Sequence, residues 1–306
     1  ARKAPITSKN FAAFSSFHNY LSGKLRGNHW GESVALLKTT SGTPYYFNFH
    51  YPKDLGNTTV IGPSGAGKTV LMLFLSAMLE KHNPRQVFFD KDRGAEIFVR
   101  AQKGNYSPIE AGKKTGFNPL QLPDTEKNRK FLRDWIAKLV EIRGQQFTAE
   151  ESEDITTAVN GNFKLEQHER RLSNIWPFFQ YGGDNSIKSR LKSWLEGGEN
   201  GWVFDNEDDS LNLDTRLIGF DVTDFLDDPT LRTPILMYLF HRIDSLIDGH
   251  RISITLDEGW KLLDDEYFGS MFKDWLKVIR KKEGFTVLNE TPKKGADNKL
   301  VAFLHP

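Results

Sequence analysis

Two stretches of the sequence carry residue types that handle phosphate and metal. The first, Asn57-Thr58-Thr59-Val60-Ile61-Gly62-Pro63-Ser64-Gly65-Ala66-Gly67-Lys68-Thr69-Val70, runs β-branched residues into Gly-x-x-x-x-Gly-Lys-Thr and then into an apolar helical pattern. That is the Walker A spacing between a strand and a helix, the context it needs. Its glycines let successive backbone N–H groups converge on one anion at a helix N-terminus. Gly62, Pro63, Ser64, Gly65, Ala66, Gly67, Lys68, Thr69 and Val70 are therefore expected to cradle a nucleotide. Lys68 would reach the β- and γ-phosphates, and the Thr69 hydroxyl would hold Mg²⁺. The second stretch, Arg251-Ile252-Ser253-Ile254-Thr255-Leu256-Asp257-Glu258, is an apolar strand closed by two carboxylates, a Walker B pattern. Asp257 would help hold Mg²⁺, and Glu258 would orient or deprotonate an attacking water. Alone, the first stretch could be a glycine turn with a chance lysine, and the second an ordinary strand end. Together they predict hydrolysis of a nucleoside triphosphate. No Asn/Thr-Lys-x-Asp guanine-reading motif is present, which favours ATP.

These residues need a sheet to bring them together. Thr58–Ile61 reads as a strand, Lys68–His82 as a helix apolar almost all round and hence buried, and Gln86–Asp90 as the next strand. A helix over Ala95–Gln102 and a short strand near Tyr106 follow. The alternation predicts an α/β fold with a mainly parallel sheet, whose ligands bind at the carboxyl ends of the strands. Ser33–His50 reads as a β-hairpin leading in, and Asn10–Leu25 holds a possible short helix. From about Asp124 to Gly198 the strand signal stops. Helical patterns over Glu126–Arg143, Glu150–Gly161, Leu165–Gln180 and Ser186–Glu196 predict an all-helical insertion. The expected division is a core formed by residues 1–123 and 199–306, with 124–198 as the inserted subdomain. The sheet resumes at Thr215–Val222, a helix follows over Leu231–Ile247, and Tyr267–Lys282 is the last clear helix.

The chain has 306 residues, 38% hydrophobic and 26% charged, as a globular protein should. A net charge of +1 gives no overall electrostatic pull toward nucleic acid or anionic membrane. Without cysteine there are no disulfides and no thiolate metal site, which fits the cytoplasm. No apolar run reaches about 18 residues, and no signal peptide is recognised at the start. The first residue is Ala1, not Met, so a fragment of a longer protein is expected.

Weaker candidates remain. Asp90-Lys91-Asp92-Arg93-Gly94 would sit at the carboxyl edge of the sheet, or be a solvated turn. Arg280 could act as an arginine finger toward a neighbouring subunit, although Arg280-Lys281-Lys282 also suits a helix C-terminus electrostatically. The tryptophans of the helical region read as core or interface, not as base-stacking platforms.

Several segments, in order, resemble the motor domain of the conjugative type IV secretion ATPases, the VirB/TrbE/CagE/TraC class. They are Asn10–Phe14, Asn28-His29-Trp30-Gly31, Thr43–His50, Gly62–Thr69, Phe89–Gly94, Gly116–Leu120 and Leu256–Leu263, covering about residues 10 to 282. The resemblance implies a RecA-like P-loop core with a helical insertion. It also implies ATP-driven work at the cytoplasmic face of the bacterial inner membrane, in a homo-oligomer (a hexamer) with other secretion components. Past Lys282 the chain departs from the family's pattern. The expected strand bearing a Gln that senses the γ-phosphate is not found in Glu283–Glu290, and an open sheet edge is expected. Two rivals accompany the secretion-ATPase reading. One is a DNA-pumping coupling ATPase of the same fold; the other is a nucleotide-gated assembly platform with little hydrolysis.

Overall fold

The computed structural model describes residues 5–14, 21–50, 56–142, 144–180, 182–259, 266–290 and 301–304. Its centre is a seven-stranded sheet built from β3 (Thr58–Ile61), β4 (Arg85–Asp90), β5 (Asn105–Ser107), β6 (Leu217–Asp221), β7 (Ile252–Asp257), β8 (Gly284–Glu290) and β9 (Val301–Leu304). The spatial order is β5-β6-β4-β7-β8-β3-β9, parallel throughout except that β9 runs antiparallel to β3. The lead-in hairpin forms as expected, with β1 (Ala35–Lys38) antiparallel to β2 (Pro44–Phe47).

The sheet is covered on both faces, which is why its strands are apolar runs without alternation. Successive residues of β4 still point oppositely. Val87 and Phe89 join the largest core, where Phe89 stacks on Phe240 of α9 (Pro229–Asp244) at 4.8 Å. Phe88 joins a smaller core under α2 (Lys68–Leu79) and α3 (Glu96–Ala101) with Val99 and Tyr106. The hairpin packs Phe47 and Phe49 against Leu75, Leu79 and Phe285 beneath the other flank of α2.

Between β5 and β6 the described residues form helices and turns only: α4 (Glu126–Leu139), α5 (Ala149–Asn162), α6 (Leu172–Ile175), α7 (Ile187–Arg190), α8 (Gly201–Phe204) and short 3-10 turns. Thr125 caps α4, and Thr148 opens α5 with a reciprocal capping box to Glu151. These helices do not build a core of their own. Trp135, Phe204 and Tyr238 meet edge-on, in one apolar cluster continuous with the sheet.

Four sequence expectations change. The helix expected over Asn10–Leu25 spans Ser8–Phe14 (α1); Leu21–Leu25 are not helical, and residues 15–20 lie outside the described ones. The helix Lys68–His82 ends as α-helix at Leu79 and closes with a 3-10 turn. It is not buried all round: Val70, Phe74 and Met78, four residues apart, stay on its outer side, with Val70 72% exposed. Leu165–Gln180 and Ser186–Glu196 are not long helices but short pieces, the first interrupted at Pro177, which cannot donate to a helix ladder. The edge beside β3 is not open, because β9 pairs with it. The last helix, α10 (Glu266–Lys281), matches expectation to within a residue at each end.

Candidate active site

The carboxyl ends of β3, β4, β7 and β8 open into one cleft of about 410 Å³, lined by Ser64, Gly65, Gly67, Lys68, Thr69, Val70, Lys91, Asp92, Gly94, Asp257, Glu258 and Asn289. Its volume lies in the range of small-ligand sites. The glycine-rich stretch and the acid-tipped strand therefore face one another across it.

The loop after β3 is shaped by its glycines. Gly65 and Gly67 adopt φ of 78° and 89°, the left-handed region, and an added Cβ on either would project into open space. A side chain there would strain the backbone and fill the cradle. Gly67 stands immediately before the first turn of α2 and accepts the Leu71 N–H through its carbonyl at 2.9 Å. Lys68 is buried, and its ammonium donates to the carbonyls of Gly62 at 2.7 Å and Pro63 at 3.2 Å. The lysine is thus folded back over its own loop, where an arriving phosphate could exchange with those carbonyls. Thr69 and Val70 line the same cleft. Gly62, Pro63 and Ala66 belong to this loop but are not among the cleft's lining residues.

Asp257 ends β7. Its Oδ1 accepts the side-chain amide of Asn289 and, at 3.1 Å, the backbone N–H of Glu258. Burial pushes the Asp257 carboxyl above its ordinary value; the hydrogen bond from Asn289 opposes that rise, and Glu258 adds to it. A desolvated carboxylate in this position is stabilised by a cation, so Asp257 and the Thr69 hydroxyl, two hard oxygen donors lining one cleft, fit Mg²⁺. Glu258 has φ of 52°, unusual for a residue with a side chain. Such conformations cost of order 1–3 kcal/mol and persist where the surroundings enforce them.

Asn289 is the residue that sequence reasoning missed. The β8 strand lies between β3 and β7, and Asn289 is in register with both Val60 and Asp257. The available signal was a polar pair, Asn289-Glu290, closing an apolar strand, the same pattern that marked Asp257-Glu258. Lys91, in the charged turn after β4 that reads from sequence either as a sheet-edge site or as a solvated turn, lines the cleft too. The Arg280 side chain lies outside the described residues, as do Trp260 to Leu263; the backbone of Arg280 falls in the last turn of α10.

The chain is 53% identical over 303 residues to the type IV secretion system protein virB4 of Bartonella henselae, covering 99% of this chain and 38% of that protein. It is 41% identical to virB4 of Brucella abortus, covering 99% of this chain and 40% of that protein. It is also 41% identical to PtlC of Bordetella pertussis, covering 94% of this chain and 38% of that protein. Over these residues the chain belongs to the VirB4 family of type IV secretion proteins. It spans about two fifths of the length of the curated relatives it matches. No family model matches the chain.

Solved structures agree on the fold. VirB4 of Thermoanaerobacter pseudethanolicus superposes with a TM-score of 0.68 at 18% identity, covering 87% of this chain and 78% of that one. The plasmid coupling protein TrwB in complex with ADP and Mg²⁺ gives 0.53 at 14% identity, covering 84% of this chain and 68% of that one. The VirB4-family chain therefore has a RecA-like P-loop core with a mainly parallel sheet and a helical insertion. No helix among the described residues is long and apolar enough to cross a membrane.

Proposed function

We propose that this VirB4-family segment is the motor of an ATP-hydrolysing type IV secretion protein, with residues 1–123 and 199–306 as core and 124–198 as inserted subdomain. One observation carries the reading: Lys68, Thr69, Asp257 and Glu258, far apart in sequence, line one cleft at the carboxyl edge of the sheet. The backbone N–H groups of Gly65 to Thr69 cradle the phosphates, and the Lys68 ammonium leaves its carbonyl partners for them. Thr69 and Asp257 would hold Mg²⁺, which would supply positive charge to the triphosphate. Glu258 orients a water and takes its proton as the water oxygen bonds to the terminal phosphorus. The bond to the bridging oxygen breaks, and its electron pair leaves with ADP. Asn289 holds the Asp257 carboxylate in place through its amide.

The protein acts as a homo-oligomer, a hexamer by the family resemblance, beside other secretion components at the cytoplasmic face of the bacterial inner membrane. The names of its relatives, type IV secretion system proteins, support a place among other secretion components. The near-neutral charge gives a DNA-pumping role no support. The test is ATP turnover per molecule against protein concentration. Sites completed by a neighbour gain specific activity as assembly proceeds. A rate per molecule that is flat across dilution contradicts shared sites, and negligible turnover throughout contradicts the motor.

A further inference from the structure

Lys91 lies just past β4, in a turn whose shape is enforced from several sides. Asp92 and Arg93 are consecutive left-handed residues, at φ of 60° and 57°. Neither is glycine, and each carries a conformational penalty of order 1 kcal/mol or more. The surroundings hold them there. The Asp92 N–H donates to Thr223 Oγ1 at 2.8 Å, and Thr223 is itself bound to Asp221. Arg93 forks onto Glu96 and also donates to Glu110. Below the turn, Asp90 Oδ2 accepts the Ala95 N–H at 2.9 Å and the Tyr106 hydroxyl at 2.7 Å. Gly94 packs so close to the Walker A threonine that an added Cβ would lie 3.0 Å from the Thr69 methyl carbon. A loop this constrained is a bracket, and it lines the cleft with Lys91, Asp92 and Gly94.

The Lys91 ammonium has a weak partner. It donates to Asp92 Oδ2 at 3.0 Å; the Lys91 side chain is 24% exposed and that of Asp92 71%. A pair whose acid stands in solvent is worth about 1 kcal/mol, so the contact is readily exchanged for a better anion. Asp92, followed at longer range by Glu258 and Asp257, holds the lysine in its charged form. The cleft is thus lined by two lysines from two segments: Lys68 where the phosphate loop enters α2, and Lys91 in the turn after β4, the strand that pairs with acid-tipped β7.

We propose that Lys91 supplies this chain's own cation to the terminal phosphate, exchanging Asp92 for a γ-phosphate oxygen when a triphosphate binds. The inference rests on the ATPase reading above and adds a residue to it. In phosphoryl transfer the protein acts mainly by placing positive charge where the equatorial oxygens gather negative charge, and one such cation is worth about 10³–10⁵ in rate. Asp92 keeps Lys91 off the adjacent Asp257 and Glu258 until the phosphate arrives. ADP, lacking the γ-phosphate, leaves the lysine on Asp92.

The experiment compares the parent with Lys91→Ala and Lys91→Arg, measuring turnover together with affinity for ADP, for a non-hydrolysable ATP analogue and for ADP–aluminium fluoride. Lys91→Ala should hold ADP within about threefold of the parent and lose the preference for the analogue and the fluoride complex over ADP. Its kcat should fall at least about 100-fold, and Lys91→Arg should recover part of each loss. Parent-like turnover in Lys91→Ala overturns the proposal. So does an equal loss of all three ligands, which would mean a structural role. If the parent itself turns over no ATP, the ATPase reading fails, and retained analogue-over-ADP preference in Lys91→Ala would then refute Lys91 as the γ-phosphate ligand independently.

Discussion

Asn289 donates its side-chain amide to Asp257, from a strand that separates the phosphate loop's strand from the acid-tipped one. The two halves of the site are therefore not neighbours in the sheet. They are joined through β8, whose Asn289 side chain holds one oxygen of the carboxylate expected to serve Mg²⁺.

Removing that amide should act through the metal and not through the fold. Outer-shell partners of this kind are worth about 10–100-fold in metal affinity or activity. Asn289→Ala should raise the Mg²⁺ concentration giving half-maximal turnover by about tenfold or more while shifting the melting temperature little. A Mg²⁺ titration identical to the parent's would exclude the role.

His241 predicts an acid-labile joint between the helical insertion and the core. It lies on α9, stacks on Phe131 of α4 at 3.9 Å, and its Nε2 is 2.7 Å from Asn128 Oδ1. Burial, and then Lys127, pushes its pKa down to about 4. The unfolded chain binds this proton more readily, so the stabilisation is complete above about pH 6.5 and is lost as pH falls toward 4. Denaturant unfolding across that window should show about 2–3 kcal/mol of acid destabilisation that His241→Gln lacks. Parallel pH profiles for the two proteins would contradict it.

Asp205 predicts where the insertion breaks. It is 1% exposed and accepts from Arg171, from the Ser173 backbone and hydroxyl, and from the Glu196 N–H. Asp205→Ala leaves the Arg171 guanidinium and two backbone donors without this partner, a loss of about 3–5 kcal/mol. Amide hydrogen exchange should accelerate first over residues 166–206. Unchanged exchange there would show that the network is redundant.

Much of the core was legible because its elements follow local rules. The Walker A loop announces its strand, turn and helix through glycine and β-branched residues, and both acids were placed by the ends of their strands. Three things were not legible, each for a physical reason. The outward stripe Val70, Phe74 and Met78 was hidden because a helix rich in apolar residues all round does not say which side is packed. The fragmentation near Pro177 and Leu191 depends on packing into a shared core, which overrides helical periodicity. Asn289 escaped because its role comes from strand order: nothing local says that a strand near residue 285 inserts between those at 58 and 252.

The measurement that tests the central claim most directly is ATP binding and ATP turnover in the parent, Lys68→Ala and Glu258→Gln under one set of conditions. If the glycine cradle and the paired acids serve one triphosphate, Lys68→Ala loses binding at least about tenfold. Glu258→Gln should keep the parent's affinity within about threefold while its turnover falls by about 10² or more. Parent-like turnover in Glu258→Gln, or unchanged ATP affinity in Lys68→Ala, would contradict the account.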